Sequence, residues 1–312
     1  MKETPKGVFY FWRLNMLNGI VVVNKPRGVT SSDCVYKLRK ILQIRKIGHA
    51  GTLDPEVNGV LPIAIGQATK LIELMHEKPK SYIGSGMFGK ATDSYDLDGT
   101  TTAEEKIVTP FTSDEIINGM KKLTGKIEQV PPIYSAVRVN GKRLYEYARE
   151  NIPVERPKRK VNIYNYELTQ DPEYDPLEKT ESFNFAVRGS KGTYVRSLVN
   201  DLGEELGVPA VMTSLTRTSS SGFDLSQAVD LETIEKEIEY PEKWLQPIDS
   251  FFVDLPQLQI SPDQFKRVSN GASIKLNTSY AKVALVYNGH IKAIYQRQGK
   301  IYRPEMMLLK NE

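Results

Sequence analysis

Apolar residues along this chain gather into short runs of two kinds, separated by Gly, Pro and polar turns. "GIVVVNKP" at 19–26 is a continuous apolar run suited to a buried strand, stopped by Pro26 and Gly28. "SSDCVYKLRKIL" follows with a Ser cap and apolar residues at Cys34, Val35, Leu38, Ile41 and Leu42, which predicts a helix. Val60, Leu61, Ile63 and Ile65 predict a second buried strand, "QATKLIELMHEK" a helix and "SYIGSGMFG" a strand. Residues 113–124 read as a helix, "PPIYSAVRVNGKRLYEYAR" as strand, loop and helix, and "FNFAVRG" as an alternating strand. "TYVRSLVNDLGEELG" is amphipathic, with Val195, Leu198, Val199, Leu202 and Leu206 on one face. Such a succession predicts an α/β or α+β protein built on a sizeable mixed sheet.

The pattern changes after an acidic segment over 224–250. "VALVYNGHIKAIYQ" predicts a hairpin turning at Asn288–Gly289, so residues 253–312 read as a small β-rich unit. A unit of that size is near the lower limit for independent stability and is expected to dock on the first.

Composition narrows the function classes. At 312 residues, with 40% hydrophobic and 26% charged residues, the chain is ordinary for a soluble globular protein of about two domains. Its single cysteine, Cys34, excludes an internal disulfide framework and a Cys-rich metal site, and suits a reducing cytoplasm. No apolar run is long enough to span a membrane, and residues 1–15 lack the apolar core of a signal peptide. The net charge of +4 is unevenly spread. Arg138 to Lys160 holds eight Lys or Arg against three Glu, and Asp224 to Ser250 holds eight acids against two Lys. The basic stretch, interleaved with Tyr145 and Tyr147, suits an RNA backbone, although a solvated loop would have the same composition.

One stretch stands out chemically. "KIGHAGTLDPEVNGVLPIAIG" places Asp54 before Pro55, in a loop bracketed by Gly51 and Gly59 and followed by a buried strand. Proline drives the preceding residue out of the helical region, so Asp54 sits on a stiff loop at the mouth of a packed element. An Asx-turn would use the same residues for structure alone. A second candidate is Arg196, in the first turn of a predicted helix that Thr193 can cap. A cation there opposes the helix dipole, and it lies off the apolar face, which points to an anionic partner such as Asp54 or a phosphate. "SYDLDGTTTAEE" nearly matches a calcium loop, but its flank is strand-like where that motif needs a helix. His76 and His290 have no second ligand at metal spacing.

Taken in order, these segments closely resemble the bacterial tRNA pseudouridine synthase B family, which isomerises the T-loop uridine conventionally numbered 55. The resemblance rests on "GIVVVNKPRGVTSSD", "KIGHAGTLDPEVNGVLPIAIGQATK", "KSYIGSGMFGKATDSYDLDG", "GKIEQVPPIYSAVRVNGKRLYEYAR" and "GSKGTYVRSLVNDLG". It covers about residues 17–250. Ser94 stands where a threonine is expected, and residues 1–15 have no counterpart. The resemblance implies an α+β pseudouridine synthase fold with a large mixed, mainly antiparallel sheet, occupying 16–250. It also implies a thumb-like insertion at about 138–160 and a PUA-like RNA-binding domain at 253–312.

By the same resemblance, Asp54 is the catalytic aspartate, Arg196 its ionic partner and Tyr82 the aromatic that stacks on the base and takes the C5 proton. His49 would contact the RNA where the base has left the stack, Tyr194 and Leu215 would line the nucleotide pocket, and Lys25 would bind substrate near it. Arg156, Lys158, Arg159 and Lys160 would meet the RNA backbone. The implied partner is the tRNA T-arm, in the cytoplasm. No metal, cofactor, membrane or obligatory protein partner is implied, and a monomer is expected. The alternatives are a pseudouridine synthase for another RNA and a non-catalytic RNA-binding or tRNA-folding protein, which would need neither Asp54 nor Arg196.

Overall fold

The apolar runs become the middle of one eleven-stranded sheet. The structure is a computed structural model describing residues 17–311, so the N-terminal extension at 1–15 lies outside the described residues. Strands β1 (Gly19–Lys25), β2 (Ile47–His49), β3 (Asn58–Ile65) and β4 (Lys80–Phe88) come first. Strands β5 (Gly125–Gln129), β6 (Arg159–Leu168), β7 (Thr180–Gly189) and β8 (Ala210–Ser220) complete the main path. Their order is β1-β3-β8-β4-β7-β6-β5, with Leu245–Gln246 outside β1 and β2 paired to β3 off this path. Along the path only β3 and β8 run parallel, with Arg217 beside Gly59. At Gly59, φ is +107° and a Cβ would stand 2.3 Å from the Arg217 carbonyl oxygen, so only glycine permits this approach.

The helices are α1 (Ser31–Leu42), α2 (Ile72–Glu77), α3 (Ser113–Lys122), α4 (Leu144–Arg149), α5 (Val195–Leu206), α6 (Leu231–Lys236) and α7 (Pro262–Ser269). β1 is apolar from Ile20 to Val23 because both its faces are covered there. Val21 and Val23 pack under Cys34, Leu38 and Leu42 of α1, while Ile20 and Val22 face a second core. At the other end of the sheet, α3 and α5 place Ile116, Met120, Leu198 and Leu202 on Phe183 and Phe185.

Several local expectations change. The N-cap of α1 is Thr30, in a capping box with Asp33, not a serine. "QATKLIELMHEK" is not one helix: Gly66–Leu71 is 3-10 and α2 stops at Glu77. Lys78 precedes Pro79 and is extended (φ −69°, ψ 147°), which ends the helix. In the 131–149 segment the only strand is a short hairpin, Arg138–Val139 with Lys142–Arg143, leading into α4. β8 has no counterpart in the elements that the pattern predicts.

The C-terminal region forms a separate four-stranded sheet of β9 (Gln257–Gln259), β10 (Lys282–Tyr287), β11 (His290–Gln298) and β12 (Ile301–Met307). Asn288 and Gly289 both have positive φ (51° and 80°), the turn expected for the β10–β11 hairpin. One face packs Val283, Leu285 and Tyr295 against Val268 of α7. The other face packs Ala284, Val286, Ile291 and Ile294 into the core that holds Ile20, Val22 and Val60 of the main sheet.

Candidate active site

The loop between β2 and β3 carries Asp54 and is held from several sides. The Ser31 hydroxyl, not needed as a cap, accepts from the Leu53 N–H at 2.9 Å. The Pro55 carbonyl accepts from the Gly28 N–H at 3.0 Å and from Lys25 Nζ at 2.9 Å. Arg217, fully buried on β8, donates to the carbonyls of Val60 (2.7 Å), Thr52 (3.3 Å) and Gly51 (3.4 Å). The backbone is therefore fixed while the Asp54 side chain stays 46% exposed.

Arg196 meets that carboxylate from the first turn of α5. Its Nη2 lies 3.0 Å from Asp54 Oδ2 and its Nη1 3.1 Å from Asp96 Oδ2. The same guanidinium donates to the Ser94 and Tyr134 carbonyls, each at 2.9 Å. Although Arg196 lies off the apolar face of its helix, its side chain is only 7% exposed. A buried guanidinium is costly unless paired, and these four acceptors satisfy it. Thr193 does not cap the helix; its hydroxyl turns back to the Ser190 carbonyl at 2.9 Å. The N-cap is Tyr194, whose N–H donates to Gln129 Oε1 at 2.8 Å and whose carbonyl accepts from Gln129 Nε2 at 2.9 Å.

Between these elements lies a cavity of about 320 Å³, within the range of small-molecule sites (about 300–1,000 Å³). Asp54, Arg196, Tyr82, Tyr194 and Leu215 line it together. Burial raises the pKa of the Tyr194 hydroxyl, which keeps it protonated. Lys80, His76, Lys191 and Arg217 also line the cavity. Burial lowers the pKa of His76, reinforced by the charge of Lys80.

Other candidates are placed differently. Lys25 is fully buried, and its ammonium donates to the carbonyls of Pro26 (2.8 Å), Val29 (2.6 Å) and Pro55 (2.9 Å). All three N–H groups are used, so Lys25 holds the loops and does not offer a donor to a nucleotide. His49 lies on β2, outside the cavity lining, beside a separate surface pocket with Ser32, Val35 and Arg39. Its Nδ1 is buried without a hydrogen-bond partner among the described residues, and burial lowers its pKa. The basic run is not one patch. Arg156 donates to the Tyr95 hydroxyl (3.1 Å) and the Pro131 carbonyl (3.3 Å), while Lys158, Arg159 and Lys160 are exposed.

Sequence reasoning missed Asp96, Lys80 and Arg217. Asp96 was in view as part of the calcium-like motif, yet its carboxylate is committed to Arg196. Lys80 and Arg217 have no local signal beyond their charge.

The mixed sheet carries a carboxylate on a loop and an arginine paired with it, the arrangement that the resemblance to pseudouridine synthases implies. Residues 39–195 match the N-terminal domain of the TruB family pseudouridylate synthases, and residues 196–253 match the tRNA pseudouridylate synthase B C-terminal domain. The chain belongs to the TruB family and is an isomerase. It is 98% identical over 297 residues to the tRNA pseudouridine synthase B of Lactobacillus johnsonii, covering 95% of this chain and 100% of that protein. With the Lactobacillus acidophilus protein of the same name, identity is 62% over 297 residues at the same coverage. The crystal structure of a Cbf5-Nop10-Gar1 complex shares the fold, with a TM-score of 0.69 at 24% identity over 94% of this chain and 85% of that one. An H/ACA RNP bound to a substrate RNA containing 2'-deoxyuridine aligns with a TM-score of 0.68 at 22% identity, covering 95% and 86%.

Proposed function

We propose that this enzyme converts uridine to pseudouridine in the T-loop of tRNA, at the position conventionally numbered 55, with Asp54 as its catalytic carboxylate. The observation that carries this reading is the Asp54–Arg196 pair. One carboxylate is held on a rigid loop, open to the cavity, by a buried guanidinium that Asp96 also grips. A simple RNA-binding surface has no use for such an arrangement.

A uridine inside stacked RNA cannot reach Asp54, so the nucleotide must turn out of its stack into the cavity. There the N1–C1′ bond breaks with the Asp54 carboxylate as the nucleophilic group. The uracil turns over, C5 bonds to C1′, the C5 proton leaves and N1 gains a proton. Tyr82 lines the cavity on β4, where it can stack on the base and take up the C5 proton. All atoms of the nucleotide are conserved, so the reaction consumes no co-substrate. Backbone contacts from the exposed cations Lys158, Arg159 and Lys160 and from the C-terminal sheet would seat the T-arm. The reading needs no partner protein and suits the cytoplasm, where tRNA is modified.

The test is incubation of the full chain with unmodified tRNA and with an isolated T-arm stem-loop, followed by mapping of pseudouridine. Modification confined to the T-loop uridine is the expected result. Modification elsewhere, or none, would overturn the assignment.

A further inference from the structure

Lys80 opens β4, and its side chain enters the cavity beside Gly51; a Cβ on that glycine would lie 3.4 Å from Lys80 Cε and 3.7 Å from Arg217 Nη1. Two of its three N–H groups are used, donating to the His76 and Lys78 carbonyls at 3.1 Å each. The third has no protein acceptor among the described residues, and no carboxylate there stands within ion-pair distance of Lys80.

The charged groups facing Lys80 are mostly of its own sign. Arg217 reaches it from β8 and Lys191 from the turn before α5, while α2 contributes His76 and Glu77. Glu77 is paired with Lys191 at 2.6 Å. On its own strand is Tyr82, whose hydroxyl lies close enough to favour the charged form of Arg217. The cavity is thus divided. The Asp54 wall holds one guanidinium between two carboxylates. The Lys80 wall holds the buried Arg217 and the half-buried Lys80, and neither has an ion-paired acid among the described residues. A cation in such surroundings is costly unless an anion joins it. Burial accordingly pulls the ammonium down to about 8. A local conflict of this kind in a substrate cavity marks a place where the substrate completes the charge balance.

We propose that Lys80 is the anion contact of the catalytic cavity, its third N–H donating to an anionic oxygen of the target nucleotide. Two oxygens have that chemistry: one on the phosphodiester, and the carbonyl oxygen of uracil that takes up negative charge as the N1–C1′ bond opens. The inference rests on the reading that the cavity isomerises uridine.

The experiment compares wild type, Lys80→Met and Lys80→Arg as full chains, each checked by thermal melting. T-arm affinity is measured against salt and single-turnover rate against pH. If the phosphodiester is the source, Lys80→Met weakens binding about tenfold and lowers the slope of log K against log salt by about 0.7–0.9, with the rate at saturation retained. If the uracil oxygen is the source, affinity is kept and the saturating rate falls about 100-fold or more, as when one donor to developing charge is removed. In either case the affected quantity declines above about pH 8 in the wild type, and Lys80→Arg, which stays charged, lacks that decline. Should Lys80→Met fail to melt cooperatively, the Lys80→Arg profile decides alone, and an unchanged alkaline decline overturns the proposal. Folded Lys80→Met with wild-type affinity, salt slope and rate also overturns it. A wild-type chain that leaves uridine unmodified would instead refute the function reading itself, and the proposal with it.

Discussion

Arg196 Nη2 lies 3.0 Å from Asp54 Oδ2 and ties the loop between β2 and β3 to the first turn of α5. The arginine is buried and the aspartate half-exposed, so the pair presents a carboxylate at a fixed place with one side open. Asp54→Asn keeps the shape and removes the nucleophile. We expect pseudouridine formation to be abolished and T-arm affinity to stay within about tenfold, since phosphate contacts supply most of the binding. Turnover near the wild-type rate in a single-turnover assay would rule out Asp54 as the essential group.

Asp96 grips the same guanidinium from the far side at 3.1 Å without lining the main cavity. Asp96→Asn should leave T-arm binding unchanged and lower the single-turnover rate by about 10- to 100-fold, because a small misplacement of reacting groups costs up to that much. A rate equal to wild type would mean that Asp54 and the Ser94 and Tyr134 carbonyls suffice to hold Arg196.

Lys25 should matter for folding more than for binding. Lys25→Met removes three charge-assisted hydrogen bonds inside the protein and strips the carbonyls of Pro26 and Val29 of this donor. A loss of about 2–4 kcal/mol in urea unfolding is expected. A shift below about 0.5 kcal/mol, typical of surface substitutions, would contradict the structural role.

Asp201, on the outer part of α5, is pushed up to about 7 by burial, with Glu204 adding to the shift. Its folded pKa exceeds the unfolded value, so between about pH 4 and pH 7 the folded state binds more protons than the unfolded one. Stability from this group therefore falls as pH rises through that window. Asp201→Asn should melt a few degrees higher than wild type at pH 7.5 and within error of it at pH 4. A gain of equal size at both pH values would show that titration is not the cause.

Of the basic run, Lys158, Arg159 and Lys160 are free to meet RNA, whereas Arg156 is engaged with Tyr95. Neutralising these three should reduce the slope of log K against log salt by roughly two to three, at about 0.7–0.9 per phosphate contact, with the saturating rate unchanged. An unchanged slope would move the RNA footprint elsewhere, with the C-terminal sheet the next surface to test.

Much of the fold was legible because its signals are local. β1, α1, α5 and the β10–β11 hairpin each carry their own periodicity or turn residues, and the Asp54 loop is marked by its proline and glycines. β8 was illegible for a physical reason. Its middle, "TSLTRTS", is too polar to read as a buried strand, yet Thr213 and Ser214 are satisfied by Ser85 across the sheet at 2.6 and 2.7 Å. Arg217 looks like any surface arginine until carbonyls from 157 and 166 positions away in the chain converge on it. Asp96 read as a failed metal loop, Lys25 as a nucleotide contact and Arg156 as one of four equivalent cations. By itself the sequence determined most of the strands and helices, though not β8, and which loop would display a carboxylate, because periodicity and turn chemistry act between near neighbours. Only the tertiary structure decided which charges are paired, buried or left facing the cavity, because the energy of a charge depends on the groups around it in space.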